Sequence, residues 1–120
     1  MQDVKLDENG LNANIKAHIL PDEKMHQLGF TDRNKNVWYF HECWGDIEIS
    51  FNVRIPKDNP KDLEIDVLDE NFLQPYDYQY ILSRIPDQKV SLMVKDRVDK
   101  CMTRLIDGGV LSGWKVGDYL

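Results

Sequence analysis

The sequence predicts an α+β fold. A three-stranded antiparallel meander, at about 37–44, 47–55 and 63–68, is covered by two C-terminal helices, at about 76–85 and 88–107. Three observations predict it. Ile47, Ile49, Phe51, Val53 and Ile55 alternate with Glu48, Ser50, Asn52 and Arg54, as a strand with one buried face requires. Leu63, Ile65 and Val67 repeat the pattern around Glu64 and Asp66. Val90, Val94, Val98, Cys101, Met102 and Leu105 instead recur at helical spacing, and Gly108-Gly109 follows as a stop. A sheet with one apolar face needs a cover, which the C-terminal helices supply.

In chain order, residues 1–10 are polar, end in Asn9-Gly10 and read as a loose N-terminal tail. Residues 11–20 fit two periods. Leu11, Ala13, Ile15, Ala17 and Ile19 alternate like a strand, while Leu11, Ile15 and Ile19 also share a helical face. The two alanines favour helix. Pro21-Asp22-Glu23 opens a second short helix, since proline suits the first turn and acids suit the positive end of the dipole. Gly29 stops it. No repeat and no Gly/Ser- or Pro-rich linker divides the chain, so 1–120 is expected to form a single domain.

Gly45-Asp46 between the first two strands fits a two-residue hairpin turn. That turn sets Trp44 opposite Ile47, Phe40 opposite Phe51 and Trp38 opposite Val53, all toward the core. Tyr39, His41 and Cys43 then share the other face with Asn52, Ser50 and Glu48, and Glu42 points inward beside Ile49. A three-residue loop would instead bury Tyr39, His41 and Cys43. After the polar loop 56–62, the third strand sets Val53 against Ile65, Asn52 against Asp66 and Arg54 against Glu64. In the next helix Tyr78, Ile81, Leu82 and Ile85 share a face. Pro86 ends that helix and Asp87 caps the long one, whose wet side pairs Lys95 with Asp99 and Asp96 with Lys100.

Fifteen Lys+Arg against 21 Asp+Glu give a net charge of −6 and a pI near 4.9. That sign argues against binding nucleic acid, where cations must displace counterions from phosphates. It argues equally against docking on an anionic membrane. No apolar stretch approaches the roughly 20 residues that span a bilayer. The N-terminus has no apolar leader, and two distant cysteines do not make a secreted disulfide framework, so a cytoplasmic setting with two free thiols is expected.

The stretch Ile65-Asp66-Val67-Leu68-Asp69-Glu70-Asn71-Phe72, then Gln74-Pro75-Tyr76-Asp77-Tyr78-Gln79, and the ending Gly109-Val110-Leu111-Ser112-Gly113-Trp114 resemble small uncharacterised cytosolic proteins of low-GC Gram-positive bacteria. The likeness covers roughly the last two-thirds of the chain. It implies a bacterial cytosolic origin and assigns no activity.

Several patterns invite a chemical reading. His41-Glu42-Cys43 offers two ligands on one strand face, short of the three or four a zinc site needs. His41, Cys43, Ser50 and Asp66 on one sheet face could instead make a small hydrolase or metal-dependent enzyme. Acids beside Cys43 oppose its ionisation, and the strained Gly-x-Ser-x-Gly elbow is missing. The acids Asp62, Glu64, Asp66, Asp69 and Glu70 lack calcium-loop spacing and read as a solvated edge. Gly108 to Gly113 lacks the lysine of a phosphate loop, with Trp114 standing where it would be. No metal and no cofactor is therefore expected. What core-building leaves over is aromatic. Tyr76 and Tyr80 lie one turn apart with Arg84 one turn further, and Trp114 stands in the tail. Tyrosine, tryptophan and arginine dominate interface hot spots. The reading is a non-catalytic protein-binding or regulatory module, with a protein partner or a homodimer formed through Tyr76, Tyr80, Arg84 and Trp114.

Overall fold

The computed structural model describes residues 5–8 and 10–120; half of the expected tail 1–10 lies outside them. The fold is α+β. In chain order it runs β1 (Lys16–Ala17), α1 (Asp22–Gln27), β2 (Val37–Trp44), β3 (Ile49–Pro56), a 3-10 turn at Pro60–Asp62, β4 (Glu64–Asp69), β5 (Gln74–Pro75), α2 (Tyr78–Arg84), α3 (Lys89–Asp107) and β6 (Leu111–Ser112). Strands β2-β3-β4-β5 form one antiparallel sheet, and β1 pairs with β6 in a second.

The inner face of the large sheet is the alternating set predicted from sequence. Trp38, Phe40, Phe51, Val53, Ile55 and Val67 are buried in one cluster with Val94, Val98, Cys101, Met102 and Leu105 of α3. Leu11, Ile15, Met25, Phe30 and Trp114 close its flanks. Aromatic edges pack across β2 and β3, with the Phe40 and Phe51 rings 6.0 Å apart at 73°. The third strand pairs as expected, Val53 with Ile65, Asn52 with Asp66 and Arg54 with Glu64.

The first hairpin departs from expectation in register but not in face. Trp44 pairs with Ile49, Phe40 with Val53 and Trp38 with Ile55, so the turn spans four residues rather than two. Ile47 lies in the turn and is half-buried. The amides of Ile47 and Glu48 both donate to the Trp44 carbonyl, and Glu48 takes the left-handed conformation, φ 54°. A two-residue shift keeps every side chain on its own side, because the period of a strand is two. The core survives the error, and Tyr39, His41 and Cys43 stay on the outer face.

Other boundaries are corrected by local hydrogen bonding. Residues 11–20 are not helical: Asn12 is buried, its Oδ1 accepts from the Asn14 amide at 3.0 Å, and its Nδ2 donates to the Tyr119 carbonyl at 2.8 Å. That side-chain turn competes with helix, and Lys16 and Ala17 go on to pair with Ser112 and Leu111. The sheet has a fourth strand, because Gln74 and Pro75 pair with Asp69 and Leu68. Tyr76 therefore precedes α2, which starts at Tyr78 with Asp77 as its cap, Oδ1 accepting from the Tyr80 amide. Ile85 lies past its end and is exposed. The long helix is capped by Gln88, not Asp87: Gln88 Oε1 accepts from the Ser91 amide at 2.6 Å. Its wet-side pairs Lys95–Asp99 and Asp96–Lys100 form as expected.

Candidate functional site

The outer face of the large sheet brings most of the expected polar residues together around one that sequence reasoning passed over. On β2 and β3, His41 and Asn52 are cross-strand partners, as are Cys43 and Ser50. Asn52 also pairs with Asp66 of β4. The Asn52 carbonyl Oδ1 accepts from His41 Nδ1, while its amide Nδ2 donates to Ser50 Oγ at 3.0 Å and to Asp66 Oδ1 at 3.1 Å. Asn52 is thus fully used as the hub. Its only sequence signal was a polar strand position, which the expected register sets between Tyr39 and Asp66 and the observed one between His41 and Asp66. In a neutral imidazole, donation from Nδ1 leaves Nε2 as the acceptor, here on an exposed side chain.

This arrangement is not a hydrolytic triad. Asp66 bonds Asn52 rather than the imidazole, and Ser50 is fully buried. Cys43 is exposed and unpaired. Among the described residues no three His, Cys, Asp or Glu side chains are grouped to hold a metal ion. A groove of about 540 Å³ lies elsewhere, along α3 and the tail, lined by Asp96, Asp99, Lys100, Arg104, Asp107 and Val116 among others. Toward the Thr31 end of the sheet the same face continues with Arg54, cross-strand from Tyr39 and 3.6 Å from Glu64; the tyrosine hydroxyl and the carboxylate both raise its pKa.

Glu42, expected to face inward, does so at the margin of the core. Its Oε2 accepts from Trp44 Nε1 at 2.9 Å and from the Cys101 thiol at 3.0 Å, and Arg104 lies 3.6 Å from Oε1. Burial works to raise its pKa, but the thiol, indole and guanidinium together hold the carboxyl below the usual range. The same contact acts oppositely on Cys101. Burial first, then the Glu42 carboxylate, pushes the thiol up to about 12, so it stays protonated and donating. Arg104 also covers the Phe40 ring at 5.2 Å. The cluster seals α3 onto β2.

The aromatic set chosen from sequence is divided by the fold. Trp114 is in the core, with its Nε1 buried and unpartnered. The interaction role expected of Trp114 therefore does not fit its position. Tyr76 is half-buried against the core, its hydroxyl bonding Ser91 Oγ at 2.8 Å. It precedes α2, so it does not stand one helical turn from Tyr80. Tyr80 and Arg84 remain at the surface, the guanidinium 6.0 Å from the ring centre.

A different surface stands out at the β4–β5 turn. Asp69 Oδ1 accepts from the amides of Asn71 and Phe72, at 2.9 and 3.3 Å. The turn so fixed leaves Phe72 and Leu73 each 74% exposed, and Leu73 takes a left-handed φ of 52°. A branched side chain in that region costs roughly 1–2 kcal/mol. Among the described residues the other non-glycine with positive φ is Glu48, at the same end of the sheet, whose carbonyl accepts from the Glu70 amide at 2.9 Å. Phe72 does carry a sequence signal, since Phe72, Tyr76, Tyr78 and Tyr80 fall within nine residues. Leu73 gave no signal, because its conformation depends on the unexpected fourth strand.

Comparison of the chain with protein-family models, with curated proteins and with solved structures finds no match. Among the described residues no helix is long and apolar enough to cross a membrane.

Proposed function

We propose that this chain is a protein-binding module whose contact surface is the β4–β5 turn, with Tyr80 and Arg84 of α2 beside it in sequence. The observation that carries the reading is the pair Phe72 and Leu73, large apolar side chains held out in water by a turn that strains Leu73. Strain of this kind persists where the surrounding structure enforces it, and it gathers at working surfaces. Tyr80 and Arg84 add two residue types that anchor interfaces at low entropic cost. The unpaired thiols fit a reducing compartment, and the net charge of −6 weighs against nucleic acid.

The experiment places a photo-reactive phenylalanine at position 72, at position 80, and at the exposed Glu23 of α1 as control. Irradiation in cells of the native host should give protein adducts from positions 72 and 80 and none from 23. A variant set with no adduct at 72 and 80, or with the same adducts at all three positions, overturns the reading.

A further inference from the structure

We infer that the partner meets the Glu48/Glu70 end of the sheet with an apolar socket rimmed by lysine or arginine; this rests on the protein-binding reading above. Two turns converge there. The β2–β3 turn carries Asp46 and Glu48, and the β4–β5 turn carries Asp69 and Glu70 ahead of Phe72 and Leu73. The Glu70 amide bonds the Glu48 carbonyl, so the turns touch. Among the described residues, Arg97 is the cation paired at this end, gripping Asp46 through two bonds of 2.8 Å. Among the described residues, no ion pair forms at Glu48 or Glu70. The result is an apolar knob in a negative collar.

The collar decides among occupants. A second copy would set Glu48 and Glu70 against their own like if the two ends met. If the knob entered the α3 groove of another copy, it would meet Asp96, Asp99 and Asp107 beside Lys100 and Arg104, two cations already engaged by Asp96 and Glu42. Like charges across an interface are strongly unfavourable. An anionic lipid surface and a phosphate backbone fail for the same reason. A protein surface with an apolar centre and a basic rim satisfies both the knob and the collar, and its charge would also speed encounter.

The probe is a short helical peptide of leucine and lysine, with a leucine–glutamate peptide of the same pattern as its counterpart. Amide shifts are followed by NMR on the full chain. The lysine peptide should move the amides of Glu48, Glu70, Phe72 and Leu73, the glutamate peptide should move none, and added salt should weaken the effect. Phe72→Ser, and separately the pair Glu48→Lys with Glu70→Lys, should each weaken binding about tenfold or more, with the rest of the spectrum unchanged. Leu73→Gly keeps the turn's conformation, removes one apolar anchor and should weaken binding in the same way. Shifts spread along Asp96, Asp99 and Asp107, equal binding of both peptides, or indifference to Phe72→Ser overturns the inference. Concentration-dependent shifts at the tip without peptide would assign the surface to a second copy. Phe72-dependent partition onto phosphatidylcholine vesicles would assign it to lipid. Either result also overturns it. Adducts at positions 72 and 80 in cells, together with no response to the lysine peptide, would leave the binding module standing and reject the basic socket alone.

Discussion

Replacing Gly113 by alanine tests the packing of the fold at its tightest point. Gly113 has φ +84° and follows β6 immediately. A Cβ there would fall far inside van der Waals contact distance of the Asn14 carbonyl oxygen and lie 2.8 Å from its carbonyl carbon. Both are backbone atoms, so no rotamer change relieves the overlap. Gly109 is its natural control, with φ +87° and nothing within 4 Å of the same added atom. Alanine at Gly109 pays the left-handed penalty alone, about 1 kcal/mol. Alanine at Gly113 must also push residues 14–15 away from the tail. That endangers the β1–β6 pairing and the 2.8 Å bond from the His18 amide to the Val110 carbonyl. Each such bond contributes about 1 kcal/mol, and displacing the neighbouring buried Trp114 adds to the loss. The expected difference between the two variants is about 2 kcal/mol or more, or roughly 8 °C in melting temperature. Urea unfolding followed by tryptophan fluorescence and circular dichroism measures it. If the two alanine variants agree within about 0.5 kcal/mol, the close approach of Gly113 to Asn14 is wrong.

Four further outcomes are expected. Iodoacetamide on the native protein should label Cys43 and spare Cys101, whose thiol is buried and held protonated by the adjacent Glu42; mass spectrometry showing equal labelling would contradict that contact. Glu42 has a lowered folded pKa, so its stabilisation is present above its unfolded value of about 4.3 and disappears as pH falls through the folded one. Glu42→Gln should therefore be less stable than wild type at neutral pH, with the gap closing below about pH 4 in urea titrations. Leu73→Gly relieves a strain of roughly 1–2 kcal/mol against roughly 0.5–1 kcal/mol of added chain entropy, so melting should hold or rise slightly; a clear fall would deny the left-handed geometry. Asn52→Ala removes the acceptor of His41 Nδ1, and nitrogen NMR should show the imidazole losing its Nδ1–H form, at a cost of about 1 kcal/mol.

The inner face of the sheet was legible because burial writes itself as period two, and an error of two residues at the hairpin left that period intact. The α3 stripe was legible for the same reason at period 3.6. What escaped were features fixed by one or two residues against distant backbone. Asn12 turns residues 11–20 away from helix by reaching Tyr119, and Gln74-Pro75 becomes a strand only because Leu68 and Asp69 lie beside it. The outer-face residues His41, Cys43, Ser50 and Asp66 were placed on the right side, yet their organiser, Asn52, carried no pattern of its own. Trp114 was misjudged because an isolated tryptophan in a tail gives no period from which to infer burial.

The clasp between β1 and β6 has a consequence for synthesis. It joins residues 94 positions apart, as the contact of His18 with Ser112 illustrates. A chain emerging from the ribosome can complete β2, β3 and β4 from local hairpins, since those pairings are near in sequence. Lys16 and Ala17, which follow the core residues Leu11 and Ile15, have no partner strand until Leu111 and Ser112 are free of the exit tunnel. Until then the clasp over this apolar segment is open, the state in which nascent chains are most exposed to aggregation and to chaperone capture. Emergence of Leu111 and Ser112, and not formation of the β2–β4 pairings, is what lets β1 find its partner.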